Sequence, residues 1–315
     1  MNPDTGEPSP VITHRVTIPW RPVLVFAAIA IGTTTAIAIV TATFGWTVSS
    51  PAWVFIAPIA MWAPALGRFI ARRTVDRGFT ATLPLRRWGA TGARVVLVPL
   101  AYPFLVYGSA YAIAWSMGLA HWSPGGGKWT TGTQIAMNLV VNLSLLGVIG
   151  TFTAMGEELG WRGYLQPRLD AAGMQWSLVV VTLVQLAYHA PLMAGAGYIA
   201  VGGLSRSLLL FAIGDLPLTF LMARESYLAR SLWPAIFFHS FHNTISQWLF
   251  PKFFLVAEGQ ALIRGEGGVL PMIGYIVLGL AHYIAMRRRG SSWRVFAQAN
   301  RFPPPAPMSP ELQRQ

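Results

Sequence analysis

The sequence predicts an all-α polytopic integral membrane protein, and three observations carry that prediction. Hydrophobic residues make up 54% of the 315 residues and charged residues only 11%, too few charges to cover a water-soluble domain. The mean hydropathy is +0.49. The apolar residues also fall in long runs without polar alternation, and in lipid such runs satisfy their backbone groups as helices.

Eight runs follow one another: Pro22–Phe44, Ala52–Ile70, Val95–Leu119, Gln134–Met155, Trp176–Ala194, Ser207–Met222, Leu232–Phe250 and Val269–Met286. Most approach the ~20 residues that a helix rising ~1.5 Å per residue needs to cross a ~30 Å hydrocarbon core. The sixth is short and contains Gly214, Asp215 and Pro217. Residues 1–20 are polar and proline-containing, with no small-residue cleavage site, so they are expected to be a disordered cytoplasmic tail before an uncleaved first span. Residues 21–286 then form the transmembrane domain. From Arg287 to Gln315 the chain is basic and runs through Phe302-Pro303-Pro304-Pro305, which predicts a second disordered tail.

The formal net charge is +12, and its distribution assigns the cause. Only Lys128 and Lys252 are lysines, and the arginines cluster between apolar runs. With the N-terminus inside, all but four of the 23 basic residues (Lys128, Arg206, Lys252 and Arg264) fall on the inner side. This asymmetry predicts an even number of helices and two cytoplasmic termini. No basic face interleaves with exposed aromatics, so nucleic acid is excluded as a partner. There is no cysteine, which excludes disulfides, thiolate nucleophiles, Cys-ligated zinc and iron–sulfur clusters. No internal repeat supports a carrier built of two inverted halves.

Ionisable groups inside spans are costly, so each is a functional candidate. Here they are Glu157, Glu158, His189, Asp215, His239, His242 and His282. In Gly156-Glu157-Glu158-Leu159-Gly160-Trp161-Arg162, Glu158 and Arg162 are i and i+4 with the acid N-terminal, the favourable order for an ion pair. Glu157 lies about 100° round the helix from Glu158, off that face. Gly156 and Gly160 make a small-xxx-small pattern that lets another helix come close to the acid. In the seventh run, His239 and Asn243 share a face at i and i+4, while His189 sits late in the fifth. A carboxylate to deprotonate water, imidazoles to orient it and an amide donor for an oxyanion are the parts needed to hydrolyse an amide.

Other protease chemistries lack their residues. There is no His-Glu-x-x-His and no Gly-x-Ser-x-Gly. Asp215 is the one aspartate inside a span, Asp76 and Asp170 falling in predicted loops, so an aspartyl dyad is missing. Asp215, His242 and His282 read as polar anchors between helices.

Glu-Glu-x-x-x-Arg, then an isolated His, then His-x-x-x-Asn, each in its own span, resembles the CPBP family. That family comprises intramembrane proteases that include the type II CAAX prenyl proteases and the Abi-type bacteriocin-processing enzymes. The resemblance covers roughly Gln134 to Phe250 and takes in the flank Ser231-Leu232-Trp233-Pro234-Ala235-Ile236. It implies that Glu157 activates the hydrolytic water, with Glu158 and Arg162 as a supporting ion pair. It likewise implies that His189 and His239 are the two motif histidines and that Asn243 stabilises the oxyanion. Gln185 departs from the pattern, which has an aromatic residue four positions before the second-motif histidine. The implied substrate is a membrane-associated peptide or protein, lipidated as in CAAX processing or a leader or bacteriocin-like peptide. The arginine-rich, cysteine-free chain points to a bacterial plasma membrane.

Metal dependence stays open at this level. Glu157, His189 and His239 would make an adequate zinc set, and a metal-free, glutamate-activated water fits the same residues. Two further functions compete: a proton-coupled carrier using Glu157, Asp215 and the histidines as a relay, and a non-catalytic membrane immunity or scaffold protein. An asparagine where a relay would place another titratable group argues against the carrier.

Overall fold

The structure is a computed structural model, and it describes residues 18–85, 92–198, 203–256 and 267–300. The tail residues 1–17 and 301–315 lie outside the described residues. Helices α1 (Trp20–Thr43), α2 (Trp53–Thr74) and α3 (Arg94–Ser116) match the first three apolar runs. The fourth helix differs from the expected Gln134–Met155. It continues without a break as α4 (Gly132–Ala171), about 60 Å at ~1.5 Å per residue. The apolar run ends at Met155 because the residues beyond it are polar, yet most residues from Thr153 to Asp170 are buried. Neighbouring helices, and not lipid, cover that half.

Helices α5 (Ser177–Ala196) and α6 (Leu204–Ala229) follow, the latter seven residues longer at its C-terminus than the run ending at Met222. Next comes α7 (Trp233–Asn243), which continues helically through Thr244–Leu249 and Phe250–Phe253. Among the described residues seven helices are long and apolar enough to cross a membrane. The remaining predicted span, the seventh, is this α7 rod, whose His239, Ser240, His242, Asn243 and Gln247 dilute its apolar character. A short antiparallel pair, β1 (Ala120–Trp122) and β2 (Phe254–Val256), ties the segment after α3 to the end of that rod.

Helix α8 (Val269–Arg288) leads into α9 (Trp293–Asn300), so the tail expected to be disordered from Arg287 folds for two further turns. It does so because Trp293 and Ala297 find a buried seat. The indole of Trp293 donates to Asp170 Oδ1 at 3.1 Å. Asp170 also accepts from Ser177, Gln166 and Tyr227, so it is the buried knot of four elements and not a loop residue. Asp76, also assigned to a loop, is buried and accepts from Tyr164 and Arg168. Asp170→Ala would strand several buried donors, each costing about 1–3 kcal/mol. The variant should melt at a clearly lower temperature, and protease should newly cleave near Trp293.

Packing brings the chemistry together. Helix α1 packs on α2 and α5, α2 on α4, α4 on α7, and α5 and α7 on α6. The Gly156/Gly160 stripe is where α2 meets α4: a Cβ on Gly156 would lie 2.7 Å from the Met61 carbonyl oxygen, and one on Gly160 would collide with Pro64.

Candidate active site

Two of the contributing helices widen at the site. Residues Trp161–Leu165 of α4 and Thr244–Leu249 beyond α7 take π-helical turns, each directly after its polar motif. Such turns occur frequently at functional sites, since one extra residue per turn re-aims the side chains around it.

Glu158 and Arg162 form an ion pair of 2.9 Å, with both side chains at 1% exposure or less. They therefore do not sit in a solvated interface, and Arg162 is not the cytoplasmic loop charge that the sequence count made it. Arg162 Nη2 donates to Thr219 Oγ1 at 3.1 Å, and Thr219 lies 2.9 Å from Gln185 Oε1 as its donor. The residue that departs from the family pattern is thus a polar link between α5 and α6.

Glu157 is 3% exposed. Its Oε2 accepts from Trp161 Nε1 at 3.0 Å, a partner one turn along the same helix. His239 stands between the two glutamates: Nδ1 is 2.8 Å from Glu158 Oε1 and Nε2 is 4.0 Å from Glu157 Oε1. A carboxylate paired with arginine only accepts, so Nδ1 carries a proton towards Glu158, and the Nε2 side of the ring faces Glu157. His189 Nδ1 is 2.8 Å from the Gln185 carbonyl oxygen, which places a proton on Nδ1 there too. Its ring stacks on Tyr198 and meets Phe211; aromatic packing reaches this histidine from other positions than the one four residues before it.

Glu157, His189, His239 and Asn243 line one cavity of about 50 Å³, room for roughly three or four waters. The structure brings together all four residues singled out from the sequence. It adds Asp215 and His242, which were read as inter-helix anchors and also line this cavity. His242 Nδ1 lies 2.8 Å from the Tyr275 hydroxyl. His282 is elsewhere, 2.9 Å from the Tyr102 hydroxyl. Trp161 and Thr219 were missed. Trp161 had a signal, its i,i+4 spacing from Glu157, whereas nothing in the sequence marks Thr219. Among the described residues no three His, Asp or Glu side chains gather as a group that could hold a metal ion, and His239 Nδ1 is committed to Glu158.

Fold and site together define a class: a helical membrane protein whose acid–base groups meet in a water-sized cavity inside the bundle. Residues 138–245 match the family model of the type II CAAX prenyl endopeptidase Rce1-like proteins, and over that segment the chain is similar to the CPBP and CAAX protease family. The matched segment contains Glu157, Glu158, Arg162, His189, His239 and Asn243. No curated protein matches the chain in sequence.

Proposed function

We propose that the protein is an intramembrane endopeptidase that cleaves a membrane-associated peptide with a water activated by Glu157. The observation that carries this reading is the 4.0 Å gap between Glu157 Oε1 and His239 Nε2 at the wall of the cavity. A water ~2.8 Å from both atoms subtends an angle of about 90°, an acceptable hydrogen-bonding geometry. Glu157 takes one proton from that water, and its oxygen adds to the scissile carbonyl carbon. Asn243, one turn beyond His239, donates to the oxyanion. When the tetrahedral intermediate collapses, the C–N bond breaks and Glu157 returns the proton to the leaving nitrogen. Trp161 holds the second carboxylate oxygen, so Oε1 is the basic one. His189, with Nδ1 tied to its own helix, lines the same cavity and positions the peptide beside the water. Every group in this scheme belongs to the chain itself.

The substrate class is a peptide of the CAAX or leader type presented from the bilayer, and the setting is a bacterial plasma membrane with both termini cytoplasmic. Reporters fused after Arg77 and after Arg289 should read cytoplasmic, and one inserted at Gly126 external; a periplasmic reading at Arg289 overturns the topology. The function is tested with purified protein and internally quenched peptides of both types. Cleavage of neither, by protein that melts cooperatively, overturns it.

Asn243→Ala should lower kcat roughly 10²–10³-fold, the usual loss for one oxyanion donor, with KM little changed. Asn243→Asp should be nearly as harmful, because it faces a developing negative charge with another. An active Asn243→Asp enzyme that chelator inhibits would replace this mechanism with a metal-assisted one.

A further inference from the structure

A second cavity, of about 640 Å³, lies between the start of α5, α6 and α8, with the start of α9 at one end. We propose that it binds one anionic phospholipid, with the phosphate on Arg287 and Arg294 and an acyl chain along the apolar wall. The volume falls in the range of small-molecule sites, about 300–1,000 Å³. Its wall is Ile213, Leu216 and Phe220 from α6 and Ile276 and Leu280 from α8. The floor is the contact of Gly279 with Pro217, where a Cβ on Gly279 would lie 2.8 Å from the proline Cβ.

Three features select a lipid. The α8 wall runs from Ile276 to Arg287, about 16 Å of helix, which is half of a ~30 Å core and therefore the depth of one leaflet. Charge is confined to one end: Arg287 and Arg294 line the mouth, and no Asp or Glu lines the cavity. Among the described residues neither arginine makes an ion pair. Trp176, 71% exposed, and Tyr283 stand at the same end, where amphipathic rings meet the headgroup layer. An apolar trough one leaflet deep under two arginines complements an acyl chain below a phosphate, on the face where the basic residues cluster and anionic lipid is enriched. The inference does not depend on the proteolytic reading.

The test is native mass spectrometry of the delipidated full chain with phosphatidylglycerol or phosphatidylcholine of identical acyl chains. Phosphatidylglycerol should be retained preferentially, and Arg287→Gln/Arg294→Gln should reduce that preference by roughly tenfold. Arg288→Gln/Arg289→Gln removes equal charge beside the groove and should leave it intact. Inorganic phosphate at millimolar concentration should not displace the lipid. Equal retention of the two lipids, or equal losses in the two double variants, overturns the site. Competition by phosphate alone would make it a soluble-anion site and overturn the lipid. Selective capture there of a farnesylated peptide, with no preference among lipids, would give the groove to substrate and overturn it as well.

Discussion

Glu157→Gln should abolish peptide hydrolysis while leaving a folded, abundant protein. The amide still accepts from Trp161 Nε1, which is 3.0 Å from the carboxylate, so the buried side chain keeps its partner and its volume. What disappears is the base facing His239 Nε2. Loss of a positioned general base costs roughly 10²–10⁴-fold, and the residual rate should be insensitive to His239 substitutions, since the water they would orient is no longer activated. Single-turnover cleavage of a quenched peptide, with thermal melting as control, reads both. Full activity of the glutamine variant would sink the mechanism.

Its neighbour should fail in the other way. Glu158→Gln leaves the Arg162 guanidinium, 1% exposed, without its counter-charge in the middle of the bundle. Stranding one partner of a buried pair costs about 3–5 kcal/mol, comparable with a good part of the net stability of a typical domain. A lower melting temperature and poor expression are the expected readouts. Protein that does fold should also be slow, because His239 Nδ1, 2.8 Å from the carboxylate, is left with a neutral amide oxygen, a weaker acceptor than the carboxylate for orienting its ring. The double variant Glu158→Gln/Arg162→Met removes both charges; it should recover stability without recovering turnover. Recovery of both would reduce Glu158 to a purely electrostatic partner.

The two glutamates illustrate how far the sequence could be read. The i,i+4 spacing of Glu158 and Arg162 and the shared face of His239 and Asn243 are properties of any helix, so they were legible before any packing was known. That Glu157 accepts from Trp161 was legible by the same rule. The polar chain from Arg162 through Thr219 to Gln185 crosses three helices, and no local pattern encodes which turn of α6 faces which turn of α5. The depth of Asp215 and His242 in the cavity was hidden for the same reason, because a lone polar residue in a span serves equally as an anchor or as a site wall until its neighbours are known.

The composition and unbroken apolar runs by themselves determined a helical membrane protein, because a chain in lipid has few ways to satisfy its backbone. The order of the polar motifs likewise identified the segment that matches the protease family. Tertiary structure alone decided where α4 ends, since hydropathy registers the chemistry of residues 156–170 and not the helices that bury them. It also decided that α9 is ordered, through a tryptophan whose indole has its acceptor on Asp170, more than a hundred residues away in the chain. Burial and partnership are properties of neighbours in space, and for a helix packed against helices those neighbours are fixed by side-chain fit along the whole contact.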